Sequence, residues 1–181
     1  VGAFMVAGTE TVVSYVPRLL AMLVDSGWAE RAANDAEVRE ACVQEGLRVT
    51  TPTPVMLRAT IAPTKIGDVS VRRGDRIILT TFLANRQPGE FSPLSDAAAG
   101  QKQLWFGAGV HFCIGAPLAL AQTRAIVDAV LDTARESGGR LTVQSRRVNK
   151  RILIPSYREL LLRIDGPGES GKFAKSGGAG L

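Results

Sequence analysis

Residues 106–115 read Phe106-Gly107-Ala108-Gly109-Val110-His111-Phe112-Cys113-Ile114-Gly115. The stretch combines one thiol with three glycines, two aromatic rings and the only histidine of the chain, directly before a long apolar segment. Glycine allows positive φ angles and lets a flat ligand approach the backbone closely. A thiolate is a soft ligand that binds iron strongly. The pattern therefore predicts a curved loop whose thiolate holds an iron centre from one side.

Simpler explanations of this loop can be compared with that prediction. A lone intracellular cysteine usually serves as a small buried apolar residue. This explanation stays open for Cys113 when the residue is considered alone. Gly107-x-Gly109 resembles part of a dinucleotide-binding turn, but the third glycine and a surrounding β-α-β unit are missing. A zinc site needs about four ligands, which one histidine and the distant Cys42 and Cys113 cannot supply. The dinucleotide and zinc interpretations are therefore disfavoured.

The composition describes one ordinary globular domain. The chain has 181 residues, 45% hydrophobic and 22% charged, which is long enough for a real core. Two cysteines are too few for a disulfide framework, so a reducing, cytoplasmic location is expected. The net charge is +5, and residues 124–163 alone hold nine Lys or Arg against four Asp or Glu. A basic surface could face nucleic acid or an acidic protein, but the stacking aromatics and motifs of nucleic-acid binders are absent.

The amino-terminal apolar segment does not have the pattern of a membrane span. It contains Glu10, Pro17 and Arg18 near its middle, and no secretory signal precedes it. The chain begins at Val1 inside a helical pattern and lacks an initiator methionine. We therefore expect it to be the later portion of something longer.

Periodicity predicts a mainly helical chain with short strands. Apolar spacing indicates helices over residues 1–25, with a kink or break at Pro17, and over 116–136. Asp35 is a candidate N-cap for a helix that ends before Pro52. β-rich runs occupy residues 55–57, 69–71, 77–81, 141–143, 152–154 and 160–164. Residues 86–104 form a long loop, and the glycine-rich tail over 165–181 is expected to be disordered.

The loop at Cys113 resembles the haem-ligand loop of the cytochrome P450 family, with the aromatic Phe106 seven residues before the cysteine and Gly115 two after it. Four further motifs follow the family's order: Ala7-Gly8-Thr9-Glu10-Thr11, Glu45-Gly46-Leu47-Arg48, Pro52-Thr53-Pro54-Val55-Met56-Leu57-Arg58 and Ala84-Asn85-Arg86-Gln87-Pro88. The resemblance implies an α+β fold, mainly α with small β-sheets, that corresponds to the C-terminal half of the family fold over residues 1–164.

The resemblance also implies a role for each matching residue. Cys113 would ligate the iron of haem b, and Glu10 and Thr11 would deliver protons to bound oxygen. Further cofactor contacts would come from Ala7, Gly8, Arg58, Phe106, Gly107, His111 and Gly115. Glu45 and Arg48 would be a structural pair, and Val55, Met56 and Leu57 would line the substrate pocket. The plain alternatives are that Glu10 and Thr11 face solvent and that Val55, Met56 and Leu57 are ordinary strand core.

The chain departs from the family pattern in two respects. The segment from Phe91 to Gly100 lacks the arginine that usually completes a triad with the Glu-x-x-Arg pair, and Lys102 is the nearest cation. Pro17 and Gly46 also lower local helix stability. The resemblance moreover covers less than half of a typical member, and half a haem pocket would leave apolar surface exposed on the first helix.

The function implied is that of a haem-thiolate monooxygenase, which inserts one oxygen atom of O2 into an organic substrate. An N-terminal half absent from the chain would be needed, and a ferredoxin or flavodoxin with its reductase would supply electrons at the basic surface. The alternative is a truncated, non-enzymatic haem-binding or interaction module.

Overall fold

A computed structural model describes residues 2–95, 103–150, 152 and 154–166. The glycine-rich tail from residue 167 onward lies outside the described residues, as do residues 96–102 with Lys102. The described chain consists of helices and small antiparallel sheets, as expected.

The first helix, α1, spans Gly2–Asp25 and runs through Pro17 without interruption. Of the two predicted outcomes, a kink or a break at this proline, the break does not occur. Proline removes one backbone hydrogen bond, but the side chains around it are held by packing: Tyr15, Val16 and Leu19 are at most 5% exposed. Tertiary burial of an apolar face supplies most of the stability of a helix in a protein. Here it outweighs the lost hydrogen bond.

Two helices follow α1 in quick succession: α2 spans Ala29–Asn34 and α3 spans Ala36–Thr50. The predicted N-cap is confirmed, because Asp35 Oδ1 accepts hydrogen bonds from the backbone N–H groups of Glu37 (2.9 Å) and Val38 (3.1 Å). The six-residue helix α2 was not predicted, since fewer than two turns give no readable apolar period.

The strands form three two-stranded antiparallel sheets within the described residues: β1 (Met56–Ala59) with β4 (Arg76–Leu79), β2 (Thr64–Ile66) with β3 (Val69–Val71), and β5 (Arg140–Val148) with β6 (Tyr157–Asp165). Met56 pairs with Leu79 in the first sheet and Arg140 with Asp165 in the last. A strand at 152–154 was predicted wrongly, since Ile152 and Ile154 lie in the connection between β5 and β6.

Two more helices complete the described chain. A short helix, α4 (Thr81–Arg86), replaces the end of a predicted strand, and α5 (Ala116–Glu136) follows the Cys113 loop with the predicted bounds. One buried cluster joins α1, α2, α3, α5 and β5. Its fully buried large side chains include Tyr15, Leu19, Leu23, Val43, Val127 and Leu131. The core therefore lies among the helices, and the small sheets carry little of it.

Gly46 lies where α3 packs closely against α1. A Cβ atom at Gly46 would lie 2.6 Å from Leu19 Cδ1 and 2.9 Å from Tyr15 Oη. The tyrosine cannot easily move away, because its hydroxyl donates a 2.6 Å hydrogen bond to the carbonyl of Val43. The glycine that lowers helix propensity is therefore what allows the two helices to pack.

We expect Gly46→Ala to lower the free energy of unfolding by about 1–2 kcal/mol, because overpacking costs about 1–3 kcal/mol and exceeds the gain in helix propensity. Urea unfolding followed by circular dichroism measures the change. Gly8→Ala in α1 is the matched control, since a Cβ there meets nothing within 4 Å. A Gly46→Ala variant as stable as Gly8→Ala would show that the helices can separate without cost.

Candidate functional site

The Cys113 loop is closed by backbone hydrogen bonds. The N–H of Cys113 donates to the carbonyl of Phe106 (2.9 Å), and the N–H of Phe112 donates to the carbonyl of Gly109 (3.0 Å) across a 3-10 turn over Gly109–His111. Gln103 supports the start of the loop, because its Oε1 accepts from the N–H of Phe106 at 3.2 Å. The loop thus places Cys113 three residues before the first residue of α5.

Two glycines of the loop adopt conformations that other residues avoid. Gly107 has φ +73° and Gly109 has φ +62°, and a Cβ at Gly107 would come within 3.2 Å of the carbonyl oxygen of His111. A side chain at either position would strain the turn. The glycine spacing seen in the sequence is therefore required by the shape of the loop.

The sulfur of Cys113 lies on an exposed and apolar part of the loop. Cys113 is exposed, as are Val110 (97%), Ile114 (84%) and Phe112 (49%). The rings of Phe106 and Phe112 lie 6.4 Å apart at a 58° tilt. A Cβ at Gly115 would lie 3.9 Å from the sulfur, in ordinary contact. A buried structural role for this thiol is excluded, and its neighbours leave one side open to a ligand.

The two thiols of the chain differ sharply in environment. Cys42 is completely buried, and burial raises the pKa of its thiol to about 12, with Glu45 raising it further and Arg31 opposing. Only the thiolate reacts with an alkylating agent, so the raised pKa keeps Cys42 in its unreactive thiol form at pH 8.

We therefore expect iodoacetamide to label one thiol per native chain at pH 8, at Cys113, and two after unfolding in urea. Peptide mass spectrometry identifies the labelled residue, and Cys113→Ala provides the control that should show no native labelling. Equal labelling of both thiols in the native chain would contradict the buried position of Cys42.

The motif at the start of α1 presents small and polar side chains to solvent. Ala7, Gly8 and Glu10 are exposed and Thr11 is half-buried. The Thr11 hydroxyl donates a 2.8 Å hydrogen bond to the carbonyl of Ala7, four residues earlier. Because Glu10 and Thr11 are adjacent on the helix, their side chains diverge by about 100°. The open space beside Gly8 forms part of a groove of about 330 Å³ between α1 and α5, lined also by Val12, Val13 and Ile126.

The predicted pocket residues lie where β1 begins. Val55 and Met56 are half-buried, whereas Leu57 is 69% exposed. The exposed guanidinium of Arg58 donates to the carbonyl of Leu57 at 2.9 Å and forms no ion pair among the described residues. His111 is likewise exposed, in the 3-10 turn of the Cys113 loop. Arg58 and His111 are therefore both free to meet an anionic group.

Glu45 and Arg48 form a buried ion pair on α3. They are 4% and 2% exposed, and two parallel hydrogen bonds join them: Arg48 Nε to Glu45 Oε2 (2.7 Å) and Arg48 Nη2 to Glu45 Oε1 (2.6 Å). Arg48 also donates to the carbonyls of Asn85, Gly89 and Glu90, and Glu45 Oε1 accepts from the N–H of Ser92 at 2.9 Å. The pair thus clamps the segment after α4 to α3.

Asn85 is a structural residue that sequence reasoning placed in a motif without giving it a role. It is fully buried, and its Nδ2 donates to Thr51 Oγ1 at 3.0 Å. Thr51 ends α3 with φ +39° and donates its own hydroxyl to the carbonyl of Arg48 at 2.8 Å. The asparagine therefore ties α4 to the end of α3, beside the ion pair. Its place in the motif over residues 84–88 was the available sequence signal.

Comparison with known proteins identifies the family. The cytochrome P450 family model matches residues 25–135, which is more than half of the chain. This chain belongs to the cytochrome P450 family. It is 38% identical over 120 residues to the erythromycin C-12 hydroxylase of Saccharopolyspora erythraea and 33% identical over 132 residues to the polyketide biosynthesis cytochrome P450 PksS of Bacillus subtilis.

The fold also matches solved cytochrome P450 structures. The crystal structure of CYP109B1 from Bacillus subtilis superposes with a TM-score of 0.78 at 23% identity, covering 90% of this chain and 44% of that one. CYP109Q5 from Chondromyces apiculatus gives 0.77 at 26% identity, with 92% and 44% covered. The matches to the hydroxylase and to PksS cover 63% and 70% of this chain but only 29% and 33% of those proteins. The chain therefore spans about a third of the length of the curated P450 relatives it matches.

The missing arginine of the P450 triad has a structural consequence. Within the described residues, both oxygens of Glu45 are occupied by Arg48 and by the N–H of Ser92. The remaining donors of Arg48 reach backbone carbonyls. Among the described residues, backbone groups thus satisfy the pair without a third charged side chain.

Most of the described Lys and Arg side chains in residues 124–163 of this P450 are paired with acidic side chains in the folded chain. Salt bridges pair Arg124 with Glu40, Arg135 with Asp132, Arg146 with Asp25, Arg147 with Glu159 and Arg163 with Asp165. In the described part of the stretch, Arg140, Lys150 and Arg158 form no ion pair. Among the described residues, three cations of this stretch are therefore without an ion pair. No helix of the described residues is long and apolar enough to cross a membrane.

Proposed function

We propose that this chain is the haem-binding portion of a haem-thiolate monooxygenase, with the Cys113 thiolate as the protein ligand of the iron in haem b. The observation that carries the proposal is the exposed Cys113 on a loop bent by Gly107 and Gly109. The family membership and the order of the surrounding motifs support it.

The residues present fit a haem group better than a bare metal ion. No group of three or more His, Cys, Asp or Glu that could hold a metal occurs among the described residues. A single thiolate suits a metal that brings its other ligands with it, as a porphyrin does. The exposed apolar side chains of Val110, Phe112 and Ile114 could cover a flat apolar ring.

The bound haem would supply oxygen activation, which thiolate donation to the iron favours. Arg58 and His111 would pair with the propionates, and the planar fork of Arg58 suits a carboxylate. Phe106 would shield the sulfur from water. Glu10 and Thr11 would hold and pass protons at the end of α1, while Ala7 and Gly8 leave room beside the helix. Val55, Met56 and Leu57 would contact the organic substrate.

The exposed apolar surface supports the need for a further segment. Met5 and Val13 on α1 are 67% and 61% exposed, and Leu118 and Ile126 on α5 are 64% and 43% exposed. Exposed apolar patches of this kind mark surfaces that other protein covers. We infer that the remaining walls of the pocket come from polypeptide beyond these 181 residues, and that a ferredoxin or flavodoxin with its reductase supplies electrons.

The ferrous–carbon monoxide absorption spectrum tests the haem ligand. The chain reconstituted with haem, alone or together with a polypeptide that supplies the first half of the fold, should show the red-shifted Soret band of a thiolate ligand. Cys113→Ala should abolish this band, and Cys42→Ala, the matched removal of the other thiol, should keep it. Absence of the band in both wild-type samples, or its survival in Cys113→Ala, would refute the assignment.

Substrate-dependent oxygen consumption tests the activity separately. With reductant and redox partners present, the complemented protein should consume oxygen and Cys113→Ala should not. A thiolate-type spectrum without any oxygen consumption would favour a haem-binding module over a monooxygenase.

A further inference from the structure

A second cavity lies apart from the Cys113 loop and shares no residue with it. It has a volume of about 380 Å³ and lies between the last turns of α1 and α3, the segment after α4, and the start of β6. Small-molecule sites in proteins usually have volumes of about 300–1,000 Å³. The roles proposed above for the haem pocket use none of its lining residues.

Two arginines line this cavity without an acidic partner. Arg18 donates to the carbonyls of Thr50 (2.8 Å) and Pro155 (3.3 Å), and Arg86 donates to the carbonyl of Val49 (3.3 Å). Neither arginine forms a salt bridge within the described residues. Burial lowers the pKa of Arg18, and the nearby charge of Arg86 lowers it further, while Tyr157 raises it. Two neighbouring guanidinium groups that lack a carboxylate favour an anion between them.

The acidic residues of the cavity do not cancel these charges. Asp25 is engaged by Arg146, whose two Nη atoms donate to its two carboxylate oxygens at 2.5 Å. Glu90 is exposed, and its side chain has no hydrogen bond among the described residues. Counted together with Arg146, the cavity therefore has three arginines against the carboxylates of Asp25 and Glu90, an excess of one positive charge.

The wall of the cavity also has an apolar part. Met22, Val49 and Phe91 line it together with the polar residues Ser26 and Tyr157.

From these observations we infer a binding site for a small organic carboxylate in this cavity. The carboxylate lies between Arg18 and Arg86. The apolar body of the ligand contacts Met22, Val49 and Phe91. Arg86 donates to Val49 through Nε alone, so its two Nη groups supply the planar donor pair that matches a carboxylate. The apolar part of the wall selects against inorganic anions.

Isothermal titration calorimetry of the full chain with benzoate tests the site, with neutral benzamide and inorganic phosphate as comparison ligands. Benzoate should bind more tightly than either. Hydrogen bonds to charged groups contribute enough that Arg18→Gln should weaken benzoate binding about tenfold or more. Arg73→Gln, which changes an exposed arginine away from the cavity, should not change it.

Glu90→Gln keeps the inference testable if Arg18→Gln does not fold. Removing this negative charge should tighten benzoate binding several-fold, because the carboxylate opposes the ligand. Circular dichroism establishes that each variant is folded. The site is refuted if benzamide or phosphate binds as tightly as benzoate, if benzoate does not bind the folded chain, or if Glu90→Gln leaves its affinity unchanged.

Discussion

Replacing Arg48 by alanine is expected to lower the free energy of unfolding by about 3–5 kcal/mol, the cost of leaving one buried charge without its partner. Arg48→Ala removes both hydrogen bonds to Glu45 and those to the carbonyls of Asn85, Gly89 and Glu90. The loss is a large fraction of the 5–15 kcal/mol by which domains are ordinarily stable. Urea unfolding measures it, and hydrogen exchange should show the segment after α4 released from α3.

A surface pair provides the matched control for Arg48. Arg124 forms a salt bridge with Glu40 at 2.6 Å, but the two side chains are 44% and 43% exposed. Solvent screens such a pair, so Arg124→Ala should cost less than about 1 kcal/mol. The double variant Glu45→Gln/Arg48→Met should cost less than the sum of its single changes, because they share one contact. Equal losses in Arg48→Ala and Arg124→Ala, or additive losses in the double variant, would contradict the clamp.

Leu131→Ala is the second substitution expected to have a large effect, at about 2–5 kcal/mol. Leu131 is fully buried on α5 in the cluster that joins α1, α2 and α3. Removing its side chain leaves a cavity in this buried cluster, and the surrounding helices can only partly close it. The midpoint of urea unfolding should fall accordingly.

The same substitution on the exposed side of α5 controls for helix propensity. Leu118 belongs to the same helix but is 64% exposed, so Leu118→Ala should change the free energy of unfolding by less than about 0.5 kcal/mol. If both variants unfold at the same urea concentration, the helices do not pack around Leu131 as the structure shows. If Leu118→Ala is the more destabilising change, the side of α5 facing the core would be misassigned.

The long periodic elements could be read from the sequence, whereas the short ones could not. Helix α5 has the predicted bounds, and α3 begins at the predicted cap of Asp35, because amphipathic spacing and capping chemistry act within a few residues. The helices α2 and α4 are each six residues long and carry no readable period. The uninterrupted course of α1 through Pro17 depends on packing against other helices, which local rules do not contain.

The candidate site also has some features that the sequence predicts and others that only the structure shows. The family resemblance identified Cys113 and the glycines around it, and the structure adds that the thiol is exposed on a turn these glycines make possible. The proposed roles of Glu10, Thr11, Arg58 and His111 remain predictions. By contrast, the cavity between Arg18 and Arg86 had no sequence signal, since its residues come from four separate segments.

The sequence by itself determined the order of the motifs, the cysteine loop and the family to which the chain belongs. These properties depend on residue type at fixed short spacing, where backbone geometry and side-chain chemistry act locally. Only the tertiary structure decided that Gly46 is a packing requirement, that backbone groups complete the Glu45–Arg48 pair, and that most of the basic stretch is neutralised by ion pairs. Those outcomes depend on contacts between residues far apart in the chain, which become neighbours only when the helices pack.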